Sequence, residues 1–144
     1  MLIYRRPKPG RYGTHIVFVQ KSGGTLTANT TTTFKAGGFK RTMVFLQFVA
    51  FVGVKPADAD GAITAKVVIR AADGTTRRVV SADINLETLT NDVATAVGIK
   101  AGLADKSRVL LPGEAVEFDV VNDSAAIDTQ PTDLVFTAEF ALVD

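Results

Sequence analysis

Residues 39–54 form the most apolar stretch of the chain, and they constrain its fold more than any other segment. Successive side chains of a strand point to opposite faces. In this stretch the odd-numbered positions from 43 to 51 share one face, and the even-numbered positions from 44 to 52 share the other. Gln47 is the one polar residue among them. A strand with one wet face alternates apolar and polar residues. The stretch therefore predicts a strand covered on one side by a second sheet, and on the other by a loop, a helix or another subunit.

Strand patterns bounded by turn residues recur along the rest of the chain. Residues 62–72 alternate between apolar and polar side chains, and Asp73-Gly74 separates them from a second strand pattern at 76–80. Asp-Gly between two such patterns predicts a β-hairpin. Further strands are predicted at residues 14–20, 107–111, 114–121 and 134–143, and residues 25–34 predict a strand or an extended, partly exposed stretch. Glycine pairs predict turns at residues 21–24 and 35–38.

Residues 81–100 are the one candidate for a helix. Apolar residues recur there at helical spacing, but the many threonines and valines are mediocre helix formers, so at most one short helix is predicted. Strands and helices do not alternate along the chain, which argues against a parallel sheet. The predicted fold is all-β: an antiparallel, jelly-roll-like β-sandwich of about eight strands.

The chain of 144 residues is predicted to consist of a basic N-terminal arm, residues 1–13, and a single β-sandwich domain, residues 14–144. Prolines in the arm remove backbone donors, so the arm does not suit a central strand. The absence of cysteine excludes disulfides and fits assembly in a reducing cytoplasm. The N-terminal residues lack the apolar segment of a secretion signal, and the longest apolar run is too short for a membrane-spanning helix.

Charge is unevenly distributed along the sequence, although the net charge is only +1. Residues 1–57 contain nine Lys and Arg residues and no acidic residue, so all 15 Asp and Glu residues lie in 58–144. If the two sets occupy separate surfaces, one surface is basic and one acidic, which suits self-association or docking on an acidic partner. If strands from the two parts interleave, the charges neutralise each other within the fold.

No motif predicts catalysis or a cofactor. His15 is the single histidine, so a catalytic histidine would need partners that no pattern identifies. Asp58 and Asp60 resemble the start of a calcium loop, but Ile69 stands where such a loop needs a bidentate glutamate. The acidic residues of 114–119 fit the polar face of an alternating strand better than a glycosidase pair. We therefore expect no enzyme, no metal and no cofactor.

The whole chain resembles the small head decoration, or cement, proteins of tailed bacteriophages. The features that carry the resemblance are the opening GGTLTANTTTTFKAGGF, the two-sided apolar strand, the LPGEAVEFDV turn and strand, and the cysteine-free composition. The resemblance is general and extends along the whole length, without a residue-by-residue match, so no site residue of the family is carried over to this chain. It implies a β-sandwich or jelly roll that associates as a dimer or trimer, sits at joints between capsid subunits and stiffens the shell.

These features together predict a virion structural protein, assembled in the host cytoplasm, that decorates a phage head shell. Its expected partners are the major capsid protein or other virion subunits and further copies of itself, with no membrane and no nucleic acid. The residues predicted to bind the partner are Arg5, Arg6, Lys8, Arg11 and Tyr12. The residues predicted to form an oligomer interface are Phe45, Phe48 and Phe51. The alternative is a non-catalytic binding module, carbohydrate-binding or adhesin-like, although the chain offers no Trp and only two Tyr for sugar stacking.

Overall fold

A computed structural model describes residues 15–22 and 25–143 of the chain. The described residues form twelve strands and two single-turn 3₁₀ helices, Leu86–Thr88 and Asp105–Arg108. The strands are β1 (His15–Ser22), β2 (Thr30–Gly38), β3 (Met43–Phe51), β4 (Ala57–Ala59), β5 (Ile63–Arg70), β6 (Arg77–Val79), β7 (Ile84–Asn85), β8 (Thr95–Val97), β9 (Val109–Leu110), β10 (Ala115–Asn122), β11 (Ile127–Thr129) and β12 (Leu134–Leu142).

Two antiparallel sheets contain most of these strands. The first sheet has the order β1-β12-β3-β8, with β9 also paired to β3, and the second has the order β2-β10-β5-β6, with β7 also paired to β5. Strands β4 and β11 form a separate two-stranded ribbon. If β1, β2, β3, β5, β6, β8, β10 and β12 are counted as the eight principal strands, the sheet orders are 1-8-3-6 and 2-7-4-5. This double-sheet order is that of a jelly roll and confirms the predicted fold class.

Phenylalanine side chains join the two sheets across the core. Phe118 of β10 in the second sheet lies with its ring centroid 5.8 Å from that of Phe48 and 5.7 Å from that of Phe136, both in the first sheet. All three side chains are fully buried. Burial of one such side chain stabilises the fold by about 1.5–3 kcal/mol, and tilted ring pairs add roughly 0.5–1.5 kcal/mol. This aromatic contact fixes how the sheets stack.

A β-bulge in β3 decides which of its side chains enter the core. Gln47 pairs with Glu139 of β12 and Phe45 pairs with Phe140, which leaves Leu46 as an extra residue. One extra residue reverses the alternation of a strand. The core therefore receives Met43 and Phe45 before the bulge and Phe48, Ala50 and Val52 after it. The bulge explains why both positional sets of this stretch are apolar, since each set supplies core residues on one side of Leu46.

One local prediction was wrong. Residues 35–38 do not form a turn, because β2 continues to Gly38. A Cβ atom at Gly38 would lie 2.5 Å from the carbonyl oxygen of Glu114, so glycine permits the close approach of β2 to β10. Residues 81–100 contain one 3₁₀ turn, Leu86–Thr88, with β7 before it and β8 after it, which agrees with the prediction of at most one short helix. The β-branched residues of this segment suit short strands better than a helix.

Phe48 and Phe51 of β3 contribute unequally to the free energy of unfolding. We expect Phe48→Ala to lower the free energy of unfolding by about 3–5 kcal/mol, because it leaves a cavity in the core. The same change at Phe51, which is only half-buried on the outer face, should cost less than about 1.5 kcal/mol in the monomer. Urea denaturation of both variants measures the difference. Phe45→Ala tests the bulge itself, because a loss as large as that of Phe48→Ala requires both side chains to lie in the core, and a small loss would contradict the bulged register.

Candidate functional site

Two arginines and two buried carboxylates form an ion-pair network on the outer face of the second sheet. Arg70 donates to both carboxylate oxygens of Glu117 at 3.0 Å, and Arg77 donates to Glu117 at 3.1 Å and to Asp119. The hydroxyl of Thr33 donates to Asp119 at 2.8 Å. Glu117 is fully buried and Asp119 is 5% exposed. The sequence correctly predicted that both carboxylates point away from the core, but they are covered by guanidinium groups and do not form a wet polar face.

The register of the β5–β6 hairpin is the reason for this network. The turn places Arg70 directly opposite Arg77. Like charges on opposite positions of paired strands repel each other. Glu117, on the neighbouring strand β10, accepts hydrogen bonds from both arginines and relieves the repulsion. Hydrogen bonding to Asp119 and Glu117 also raises the pKa of Arg77 above its ordinary value.

A second buried pair joins Arg78 to Glu114 at the edge between the sheets. The two guanidinium nitrogens of Arg78 donate to the two carboxylate oxygens of Glu114 at 2.7 and 2.9 Å. Arg78 also donates to the backbone carbonyls of Ser107 and Val109 at 2.7 and 2.6 Å. This contact fastens β6 to the segment that enters β10. The Arg78 guanidinium is the main cause that holds the pKa of Glu114 below its ordinary value.

Basic side chains gather at one end of the sandwich, which we call the basic end. This end contains the β2–β3 turn, the β5–β6 hairpin, the second 3₁₀ helix and the β9–β10 turn, because the start of β3 pairs with β9 and the end of β5 pairs with the start of β10. Its basic residues are Lys40, Arg41, Arg70, Arg77, Arg78, Lys106 and Arg108. The acidic residues in the same loops and hairpin are Asp73, Asp105 and Glu114, and the neighbouring strand β10 adds Glu117 and Asp119, which pair with Arg70 and Arg77. Strand β1 also begins at this end, since His15 pairs with Ala141.

The opposite end, which we call the acidic end, contains exposed aspartates. It consists of the loops around the β4–β11 ribbon and of residues 90–94, which are held there by a hydrogen bond from Asp92 to Val52. Among the side chains that the structure describes at this end, the charged ones are Asp60, Asp92, Asp123, Asp128, Asp133 and Lys55. Charge is therefore separated by the ends of the sandwich and not by the halves of the sequence. Basic residues from both halves meet at the basic end because antiparallel strands bring distant turns together.

Asp60 stabilises a loop contact at the acidic end. Its carboxylate accepts hydrogen bonds from the hydroxyl of Ser124 at 2.6 Å and from the backbone N–H of Ala125 at 2.8 Å. The Ser124 hydroxyl is the main cause that lowers the pKa of Asp60, with the backbone donors adding to it. A carboxylate oxygen used in this way joins the β4–β5 and β10–β11 loops. Within the described part of the chain, no group of three or more His, Asp or Glu side chains is placed to hold a metal ion.

The outer face of the first sheet differs sharply from that of the second, and we call it the apolar face. Its apolar side chains are Val19, Val44, Leu46, Val49, Phe51, Ala96, Val135 and Ala141, all of them exposed or half-buried. Thr137 lies between Val19 and Val49 in one cross-strand row. In the next row the amide of Gln47 donates to the carboxylate of Glu139 at 2.6 Å. Glu139 is the one acidic side chain among those described on this face.

The structure separates the predicted site residues into three groups. Arg5, Arg6, Lys8, Arg11 and Tyr12 lie outside the described residues, so partner binding by the arm stays a prediction. Phe45 and Phe48 have no exposed surface and belong to the core, so they offer no surface to a second copy. Phe51 is half-buried on the apolar face. The oligomer itself stays a prediction. Because of the bulge at Leu46, Phe51 is the only one of the three phenylalanines with surface that a second copy could contact.

The fold and these surfaces define an antiparallel jelly-roll domain with two unlike outer faces and two oppositely charged ends. Among residues 15–22 and 25–143, no helix is long and apolar enough to cross a membrane. No protein-family model matches the chain. No curated protein matches it either.

Solved structures of infectious bursal disease virus match the chain weakly. One, the structure of the Gx strain, has 13% sequence identity and a TM-score of 0.44 over 90% of this chain and 33% of that chain. Another, the T13 viral particle, has 12% identity and a TM-score of 0.28 over 90% of this chain and 39% of that chain. This chain thus spans about a third of the length of these proteins, and at such TM-scores the similarity assigns no function.

The Arg78–Glu114 pair predicts a specific loss of stability. We expect Arg78→Ala to lower the free energy of unfolding by about 2–3 kcal/mol, because Glu114 is left buried without its counter-charge. Lys106→Ala is the matched control, since Lys106 is an exposed cation of the same basic end, and it should change stability by less than about 0.5 kcal/mol. Denaturant titration of both variants makes the comparison. A similar small loss in both would contradict a structural role for the pair.

Lowered carboxyl pKa values predict acid sensitivity. The hydroxyl and backbone N–H of Thr76 lower the pKa of Asp73 to about 2, and the pKa values of Asp60 and Glu114 are also lowered. A carboxyl whose pKa is lower in the folded state contributes stability above its unfolded pKa and loses it as pH falls through the folded pKa. Stability should therefore be nearly constant from pH 7 to about 5 and fall from about pH 4.5 towards pH 2. Urea titrations across this range test the prediction, and Glu114→Gln should make the pH profile shallower.

Proposed function

We propose that the chain is a virion structural protein that binds at joints of a capsid shell and stabilises it, as a decoration or cement protein. The observation that carries the proposal is the coincidence of the basic end with the start of β1. Residues 1–14, with their four basic side chains, join the domain at the same end as the basic turns. With the arm attached here, basic residues outnumber acidic ones at this end even when the paired arginines and carboxylates are set aside, which suits docking on an acidic protein surface.

The rest of the fold suits a passive structural role of this kind. The jelly roll supplies a rigid body, since two sheets stack through close-packed phenylalanines. Buried ion pairs fix the hairpin and turns at the basic end, so that the docking surface keeps one shape. Jelly rolls occur in viral capsid domains and also in lectins, so the fold alone does not choose between shell binding and carbohydrate binding. The charge separation favours shell binding.

Binding to shells tests the proposal directly. Purified full-length protein is mixed with capsid shells of the source virus that lack it, and bound protein is measured by co-sedimentation. We expect saturable binding that weakens with salt, and a roughly tenfold or greater loss of affinity when Arg5, Arg6, Lys8 and Arg11 are all changed to Gln. Lys106→Glu at the basic end should also weaken binding.

Lys55→Glu is the matched control, because it makes the same charge change at the acidic end. Shell binding unaffected by the arm and basic-end variants would refute docking through the basic end. No binding to shells, together with specific signals on a glycan array, would favour the alternative of a carbohydrate-binding module.

A further inference from the structure

We infer that the apolar face is a homodimer interface, on which the same face of a second copy stacks with two-fold symmetry. The inference deepens the proposed function, because it names the surface through which copies of the chain associate. It replaces Phe45 and Phe48, which are in the core, with Val19, Val49 and Val135 of the apolar face.

The two outer faces of the sandwich differ in the kind of side chain that they present. The outer face of the second sheet carries Arg70, Arg77, Glu117 and Asp119, whose charges satisfy one another. The apolar face presents mainly aliphatic side chains on three neighbouring strands, and its Val19 is 50% exposed. Contiguous apolar patches of this kind mark interaction sites on soluble proteins. Since charged surfaces are poor partners for such a face, its occupant must itself be apolar.

Shape and area favour a second copy as that occupant. Identical sheets have identical twist, so two apolar faces can stack about 10 Å apart with their strands nearly aligned, as the two sheets of one sandwich do. From strand spacing and rise, the face covers roughly 400–500 Å² per copy. A dimer would then bury about 1,000 Å² in total, close to the lower limit for a specific interface. This area predicts a dissociation constant in the micromolar range.

The row of Val19, Thr137, Val49 and Ala96 fits the position of the two-fold axis. It crosses the sheet from edge to edge and contains no charge. Glu139 lies one row away, two residues along β12. With the axis along this row in an antiparallel dimer, the two Glu139 carboxylates lie about 14 Å apart along the strands, so they do not meet each other. The hydrogen bond from Gln47 further satisfies each carboxylate when the face is covered.

Sedimentation of the full-length protein from about 1 μM to 1 mM tests the dimer. We expect a monomer–dimer equilibrium that is equally strong or stronger at 1 M salt, because apolar contacts are not screened. Val49→Lys should be monomeric throughout, since it places a charge at the centre of the face. Val121→Lys is the matched control: Val121 is also a half-buried valine of a central strand, but it lies on the outer face of the second sheet. It should leave the dimer unchanged, and far-ultraviolet circular dichroism confirms that both variants are folded.

Cross-linking gives an independent measurement, because the chain has no cysteine of its own. Thr137→Cys should yield a covalent dimer with a short bismaleimide reagent, whereas Thr31→Cys, exposed on the second sheet, should not. A monomer at 1 mM, or equal behaviour of the two valine variants, would overturn the inference and indicate that the chain covers this face itself. A dimer that dissociates in salt would assign association to the charged ends. Each result is obtained with pure protein, so it is separate from the outcome of shell binding.

Discussion

The β-bulge at Leu46 is the constraint on which the arrangement of the sandwich depends. Without it, β3 would bury either Met43 and Phe45 or Phe48 and Ala50, but not both pairs. The bulge turns the strand so that the core receives a side chain from each positional set, including Phe48, which contacts the opposite sheet through Phe118. It also determines what remains outside. Val44 and Val49 lie on the outer face because the residues next to them in β3 point into the core. The bulge therefore determines both the packing of the core and the apolar character of the outer face.

The second sheet differs from the first, because its outer face carries charged side chains that pair with one another. Arg70 and Arg77 face each other because of the hairpin turn, and Glu117 between them makes that register tolerable. Removing a single member would leave a buried charge, so such networks specify one arrangement more than they add stability. The two sheets thus give one domain a face that is mainly apolar and a face whose charges are paired with one another, while the two ends differ in the sign of their charge. Proteins that assemble by several distinct contacts need surfaces that differ in this way.

The sequence was sufficient for the fold class and for the Asp73-Gly74 hairpin, because strand alternation and turn chemistry are local signals. It was insufficient for the choice between Phe45, Phe48 and Phe51 as core or surface, since a bulge leaves no mark in a uniformly apolar stretch. The ion-pair network had only a weak signal: a two-residue turn at Asp73-Gly74 would set Arg70 opposite Arg77, and like charges there call for a nearby carboxylate. The strand that supplies it, β10, is distant in sequence, and strand order cannot be obtained from alternation. The separation of charge between the two ends of the sandwich could not be predicted either, because it also depends on strand order.

The position of β12 has a consequence for how the protein is made. This last strand lies between β1 and β3 and pairs with both along nearly its whole length. During synthesis the first sheet therefore lacks its centre until residues 134–142 have left the ribosome, and until then β1 has no partner in that sheet. Folding must wait for contacts between residues more than a hundred positions apart, which places it among slow, high-contact-order reactions on the millisecond-to-second scale. In that interval the valines of β1 and β3 are open to other chains, so production in cells should depend strongly on temperature and on chaperones.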